Sequence, residues 1–353
     1  MIVGEREFIE IDGSYGEGGG QILRTALALS AVLKKPFTIH RIRSKRKNPG
    51  LQAQHLEAVE ALARITEART EGVRFGSQEI VFIPQRILPG DYQFEVKTAG
   101  SVILLLQAIM LPLCLSGGGS TVTLIGGTHV PWSPSFHYLS DVFLSTLRWM
   151  GVSADAAIEQ WGFYPRGGGK IRLRIDPIHE LEAISLVNRG SLQRIRGISA
   201  SSHLPKHVAE RQRKQALDRI LKDLKVEAEI TIERDVPSCG AGSFLFLLAE
   251  YENVFAGFSS LGSRGKPAEK VAEEAVDALG DFMKSDGCVD PHLADQLIPF
   301  MAMAKEGSAF STTRVTEHLL TNLWVINHFL KVKTEMKGEK GVPGGLELLS
   351  SHG

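Results

Sequence analysis

Apolar residues recur along the chain with two periods, and the order of those periods repeats. Residues 8–12 predict a strand, 13–20 a glycine-rich loop and 21–33 an apolar helix; a strand at 37–42 and a helix from 51 to about 65 follow. Later, residues 92–98 predict a strand, 99–101 a small-residue loop, 102–115 a helix, 121–125 a strand and 135–150 a helix. Gly20 and Gly100 lie 80 residues apart, Thr38 and Thr121 83, and Leu51 and Ser135 84. A unit of strands and two helices is therefore used twice.

A third copy closes the chain, with a helix at 293–304, a strand at 311–315 and a helix at 317–330. Gly100 and Ala294 are 194 residues apart, more than two repeat lengths, so a segment is interpolated. Its expected bounds are 183–280, and its own pattern (strand 194–199, helix 208–224, strands 227–233 and 243–251, helix 267–284) is that of a small α/β domain. The fold class expected is α+β, built of α/β repeats. Residues 1–182 and 281–340 make one discontinuous, repeat-built domain, and 183–280 the inserted one. From Lys333 onward, with Gly338, Gly341, Pro343, Gly344 and Gly345, a weakly ordered end is expected, and 341–353 is set apart as a tail. The longest apolar run, 102–115, is broken by Gln107 and Pro112 and is too short for a membrane span.

Composition narrows the classes. With 40 Lys and Arg against 40 Asp and Glu, the chain has no bulk charge with which to coat a polyanion or a membrane. Cys114, Cys239 and Cys288 are far apart and form no C-x-x-C pair, which argues against disulfide or zinc frameworks. An intracellular, cytoplasmic location is expected, since the first ten residues also lack a signal-peptide core. Glycine, 36 of 353 residues, is in excess and bunched.

The first bunch, Asp12-Gly13-Ser14-Tyr15-Gly16-Glu17-Gly18-Gly19-Gly20, joins a strand to a helix, where backbone amides and the helix dipole favour an anion. It matches neither G-x-G-x-x-G nor a P-loop. Glu17 has no packing role among glycines but could hold a divalent cation next to phosphates. From Arg24 to Leu56 there are eight Lys and Arg and no acid. Arg41 and Arg43 are expected on one face of a strand, and Arg46 in the loop ending at Asn48-Pro49-Gly50. Fixed arginines suit forked bonds to phosphate. Gly167-Gly168-Gly169 precedes a strand and reads as a turn, and the His203/His207 pair lacks a third ligand nearby. His318 follows Thr316-Glu317, a capping first turn, so the helix dipole should keep the imidazole neutral and nucleophilic near pH 7.

Together these stretches resemble the RNA 3'-terminal phosphate cyclase family. The matching segments, all collinear, are Asp12-Gly13 with Gly16-Glu17-Gly18-Gly19-Gly20-Gln21-Ile22-Leu23-Arg24, Pro49-Gly50-Leu51 with Gln54-His55-Leu56, and Ala99-Gly100-Ser101 with Gln107. Further on come Gly126-Gly127-Thr128, Gly162-Phe163-Tyr164-Pro165 with Gly167-Gly168-Gly169, Leu293-Ala294-Asp295-Gln296 and His318-Leu319-Leu320-Thr321-Asn322. The resemblance implies three βαβαββ repeats with a small insert, and ATP-dependent conversion of an RNA 3'-phosphate to a 2',3'-cyclic phosphodiester.

By the same resemblance, His318 is the nucleophile that takes AMP from ATP. Gln107, His292, Leu293, Ala294, Asp295 and Gln296 contact the nucleotide, Glu17 holds a divalent metal (Mg or Mn), and Arg24, Arg43, Arg46 and Gln54 bind phosphates of ATP or of the RNA end. The partners implied are ATP and an RNA 3' end, with no membrane; a homo-oligomer is compatible with the chain. Tyr is frequent in the family where this chain has His292, and a basic residue where it has Trp161. Two other readings use a similar fold: an inactive cyclase-like ribosome-assembly or RNA-binding factor, and an enolpyruvyl transferase. The Ala294-Asp295-Gln296 and His318 motifs favour the cyclase.

Overall fold

The computed structural model describes residues 8–349. The first repeat runs β1 (Ile9–Asp12), α1 (Gly20–Leu33), β2 (Phe37–His40), α2 (Ala53–Thr66), β3 (Arg69–Glu71) and β4 (Ile80–Ile83). Its sheet has the order β1-β2-β4-β3, with β1 parallel to β2 and β4 antiparallel to both neighbours. The second repeat has β5 (Asp91–Glu95), α3 (Val102–Cys114) and β6 (Ser120–Gly126). It continues with α4 (Phe136–Tyr138), a π-helical turn (Leu139–Phe143), α5 (Leu144–Arg148), β7 (Ala154–Gln160) and β8 (Gly169–Ile175). Its order, β5-β6-β8-β7, repeats the first.

The third repeat is split. Strand β9 (Ser185–Leu186) precedes a separate four-stranded unit: β10 (Leu192–Ser202), α6 (His207–Arg219), β11 (Ala228–Arg234), β12 (Gly242–Tyr251), β13 (Phe255–Leu261) and α7 (Ala268–Lys284). The repeat then resumes with α8 (Pro291–Met301), β14 (Ser308–Thr312), α9 (Glu317–Phe329), β15 (Lys333–Lys337) and β16 (Gly344–Leu349). Its sheet order is β15-β16-β14-β9, and β9 runs parallel to β14 as β1 does to β2. The chain is thus three βαβαββ units with a small α/β unit inserted after the first strand of the third.

Three local expectations change. The third repeat begins at β9, not at its first helix, because a two-residue strand has too few positions to show alternation. The described part of the expected tail is a hairpin: β16 pairs with β14 and β15 and buries Leu346 and Leu348 in the core, while residues 350–353 lie outside the described residues. And β2 stops at His40, so Arg41 and Arg43 lie in the following loop, both with φ of 54°.

Packing between repeats is cyclic. Helix α2 packs on α3 of the second repeat, the π-helical turn after α4 on α8 of the third, and α9 of the third back on α1 of the first. Helix α3, apolar on every side except at Gln107, is buried through most of its length, as such a helix must be. Leu23, Ala26 and Leu27 of α1 are fully enclosed, and truncating Leu27 to Ala would cost about 2–5 kcal/mol. The inserted unit docks through rings: His129 stacks on Trp161 at 4.1 Å and meets Phe244 of β12 edge-on at 4.5 Å.

Candidate active site

Each of the three junctions sets the N-terminal turn of one repeat's second helix against the segment that leads into the next repeat's first helix. At the first, Ser101 N–H, at the cap of α3, donates to Gln54 Oε1 at 3.3 Å. At the second, the Tyr138 hydroxyl donates to Asp290, the cap of α8, at 2.9 Å. At the third, Gln21 donates to the His318 carbonyl at 3.2 Å, and His318 Nε2 lies 3.7 Å from Glu17 Oε2. The third junction alone places an imidazole and a carboxylate, both half-exposed, face to face.

Local chemistry holds that pair. Thr316 caps α9, its Oγ1 accepting from Leu319 N–H at 2.9 Å and donating to Asp295 Oδ1 at 2.5 Å. His318 is therefore in the first turn of α9. Burial lowers its pKa, assisted by Arg24, His292 and Arg46 and opposed by Glu17, so the ring is neutral near pH 7. The loop carrying Glu17 is fixed by Asp12, which accepts from Ser14 N–H at 2.9 Å and from Arg41 at 2.6 Å, and by Tyr15, stacked on Trp324 of α9 at 4.1 Å. Gly16 has φ +52°, and a Cβ there would sit 2.5 Å from Thr321 Oγ1. Any side chain at Gly20 would collide with His55, its Cβ falling 2.1 Å from Nε2.

The cations differ in their partners. Arg24, half-buried on the cavity wall, enters none of the ion pairs found among the described residues; burial, and then Arg43, lower its pKa to about 10. Arg43 donates from Nη2 to the Asn48 carbonyl at 3.2 Å, and its buried Nε has no partner among the described residues. Arg46 pairs with Glu17 at 3.0 Å, whereas Arg41 is taken up by Asp12. His55 Nδ1 accepts from Gln52 N–H at 3.2 Å, and burial, with Arg24 and Arg43 nearby, depresses its pKa to about 3. It is thus a neutral spacer under two guanidiniums. Unpaired cations of this kind are poised for an anion.

A cavity of about 770 Å3 opens beside these groups. Glu17, Arg24, Gln107, His292, Asp295, Gln296 and His318 all line it. Arg43, Arg46 and Gln54 stand behind or beside the wall rather than on it. Leu293 and Ala294 do not line the cavity: both are 0% exposed and face the core, because the first turn of α8 presents only one side to the cavity. Burial pushes the Asp295 carboxyl up to about 8, against the bond from Thr316. Gln296 donates to the His292 carbonyl at 3.0 Å.

Other lining residues escaped the sequence reading. Arg314 and Lys340 reach the cavity from either side of α9, Lys340 pairing with Glu317 at 2.5 Å; the turn between β15 and β16 brings it there. Gly257, Phe258 and Ser259 arrive from β13 of the insert. Pro131, Trp132 and Pro134 form the rim, and this doubly proline-flanked indole was a visible signal.

Among the described residues no group of three or more His, Cys, Asp or Glu is arranged to hold a metal ion. Magnesium, however, is commonly held by one or two carboxylates together with substrate phosphates. A hard oxygen donor at Glu17, on the same cavity wall as Arg24 and paired with Arg46, fits a divalent ion that arrives with a nucleotide and not a resident one.

The profile of the family "RNA 3'-terminal phosphate cyclase" matches residues 15–336. A relative of that name from Staphylothermus marinus is 46% identical over 346 residues, 96% of this chain and 97% of its own. One from Methanopyrus kandleri is 44% identical over 96% of this chain and 98% of its own, and one from Thermococcus kodakarensis 43% over 98% and 99%. Among solved structures, the enolpyruvyl transferase NikO from Streptomyces tendae aligns with 48% of this chain and 33% of its own at 14% identity and a TM-score of 0.26, too low to bear on fold or function. On the match over nearly its whole length, the chain belongs to the RNA 3'-terminal phosphate cyclase family.

Proposed function

We propose that this chain converts an RNA 3'-terminal phosphate into a 2',3'-cyclic phosphodiester at the expense of ATP, with His318 as the nucleophile. The observation that carries the reading is the placement of His318: a neutral, half-exposed imidazole facing Glu17, with Arg24, which enters none of the ion pairs among the described residues, and the Glu17-paired Arg46 both close enough to depress its pKa. His318 Nε2 attacks the α-phosphorus, the bond to the β-phosphate oxygen breaks, and pyrophosphate leaves a phosphoramidate. An oxygen of the RNA 3'-phosphate then displaces the imidazole, forming an anhydride with AMP. Finally the vicinal 2'-oxygen attacks the terminal phosphorus, its proton passes to water or a nearby base, and AMP departs. Such an intramolecular attack reaches effective molarities of roughly 10⁵ M or more.

The residues divide the work by chemistry. Arg24, Arg43 and Arg46 neutralise phosphate oxygens, and Gln54 keeps its amide N–H groups available because its oxygen is engaged by Ser101. Gln107, His292, Asp295 and Gln296 face the nucleoside. A divalent ion held by Glu17 and the substrate phosphates, when bound, offsets the negative charge on those oxygens. The test is product analysis: an RNA 3'-phosphate should yield a cyclic end, while a DNA 3'-phosphate, lacking the 2'-hydroxyl, should stop at the adenylylated stage. Arg43→Ala should impair end processing more than Lys34→Ala, which lies at the far end of α1; equal effects would reduce the basic stretch to surface charge.

A further inference from the structure

Trp132 is the most exposed large apolar residue in the described chain, at 97%, and it stands on the rim of the cavity. Its backbone is left-handed, with φ +58°. For a bulky aromatic residue that conformation is unfavourable and persists only where its surroundings impose it. Here they do. Residue 132 sits between Pro131 and Pro134; Ser133 Oγ donates to the Val130 carbonyl at 3.2 Å; and the segment is anchored at both ends, by buried Thr128 and His129 and by Ser135, which caps α4. The indole is therefore held out into solvent on a stiff loop.

We propose that Trp132 is a stacking platform for the terminal nucleobase of the RNA, an inference that rests on the cyclase reading. The deeper wall already supplies apolar cover for a nucleoside, from Leu104, Val130, Tyr138, His292 and Phe300. An indole at the mouth touches almost nothing of its own chain and is placed for a group that projects outward. In this reaction that group is the RNA, whose phosphate must reach His318 and the arginines while its base and chain stay outside. Stacking on an aromatic face is tolerant of base identity, which suits an enzyme acting on ends, and it leaves the ribose 2'-hydroxyl free. It orders the end without adding charge, so the same platform accepts the 3'-phosphate and the adenylylated end.

The test uses the full chain, a short single-stranded RNA 3'-phosphate, and the same oligonucleotide with an abasic terminal sugar. For the wild type, removing the terminal base should lower kcat/KM about tenfold, within the range expected of one base–aromatic stack. Trp132→Ala should lose about the same factor on the normal end and discriminate little between the two; Trp132→Phe should restore much of it. Binding of the normal oligonucleotide should quench tryptophan fluorescence in the wild type and much less in Trp132→Ala, a readout that does not depend on turnover. Equal discrimination against the abasic end in wild type and Trp132→Ala would overturn the proposal. So would a loss of adenylylation by ATP alone as large as the loss of cyclisation, which would assign the indole to the nucleotide. If the wild type shows quenching but no adduct with ATP, the platform stands and the cyclase reading falls.

Discussion

His318 Nε2 and Glu17 Oε2 lie 3.7 Å apart, although one belongs to the last helix of the chain and the other to its first glycine-rich loop. They meet because the third repeat closes on the first, α9 against α1. The other two junctions have the same layout but are filled by internal hydrogen bonds, Gln54 with Ser101 and Tyr138 with Asp290. Of the three junctions, the closing one alone sets an imidazole against a carboxylate, which is why the proposed chemistry is placed there.

Arg24 is retained without an acid partner, and such a charge is a cost to the fold. Arg24→Met keeps the length of the side chain and removes the charge. The variant should unfold at the same temperature as the wild type or higher, and bind ATP at least about tenfold more weakly. A clear drop in Tm with ATP affinity intact would mean that Arg24 is structural.

The Thr316 hydroxyl serves two partners, Leu319 N–H and Asp295. Thr316→Val should cost about 1–2 kcal/mol for the lost cap and slow adenylylation by letting the first turn of α9 shift. Thr316→Ser should recover both properties. Chemical denaturation and single-turnover labelling measure the two effects separately.

His55 makes stability sensitive to acid. Its folded pKa, about 3, lies below the ordinary histidine value of 6.5, so the unfolded chain takes up a proton that the folded chain refuses as pH falls from 6.5 toward 4. Over that window the wild type should lose about 3 kcal/mol relative to His55→Asn, which keeps an acceptor for Gln52 N–H but cannot titrate. Urea unfolding at pH 7, 5.5 and 4.5 reads the difference; a constant gap would contradict the burial argument.

Asp295 works in the opposite sense. Raised from 3.8 to about 8, it is a neutral acid at pH 7 and ionises only as the pH passes that value. A new negative charge on the cavity wall should weaken ATP binding above pH 8 in the wild type. In Asp295→Asn the affinity should stay flat across pH 7–9, as measured by titration calorimetry.

The repeat architecture was legible because helices such as 102–115 and 317–330 carry long apolar faces, and the motifs carrying Glu17 and His318 were legible because glycines and a capping threonine have few other uses. Less visible were features created by pairing at a distance. Strand β9 is two residues long and exists only through β14, and the hairpin that delivers Lys340 looks from its glycines like a loose tail. Arg41 and Arg43 alternate in sequence as a strand would, yet β2 ends before them, where Ile42 N–H turns to the Gln78 carbonyl. Leu293 and Ala294 sit within a motif of the family resemblance, but their side chains are buried in the core.

The most direct test is incubation with ATP labelled at the α-phosphate, in the presence of a divalent metal and without RNA. The wild type should form an acid-labile protein adduct that is chased by an RNA 3'-phosphate, and His318→Ala should form none. An adduct of equal size in His318→Ala, or none in the wild type, would contradict the assignment of His318 as the nucleophile, and the second result would favour a binding protein built on the cyclase fold.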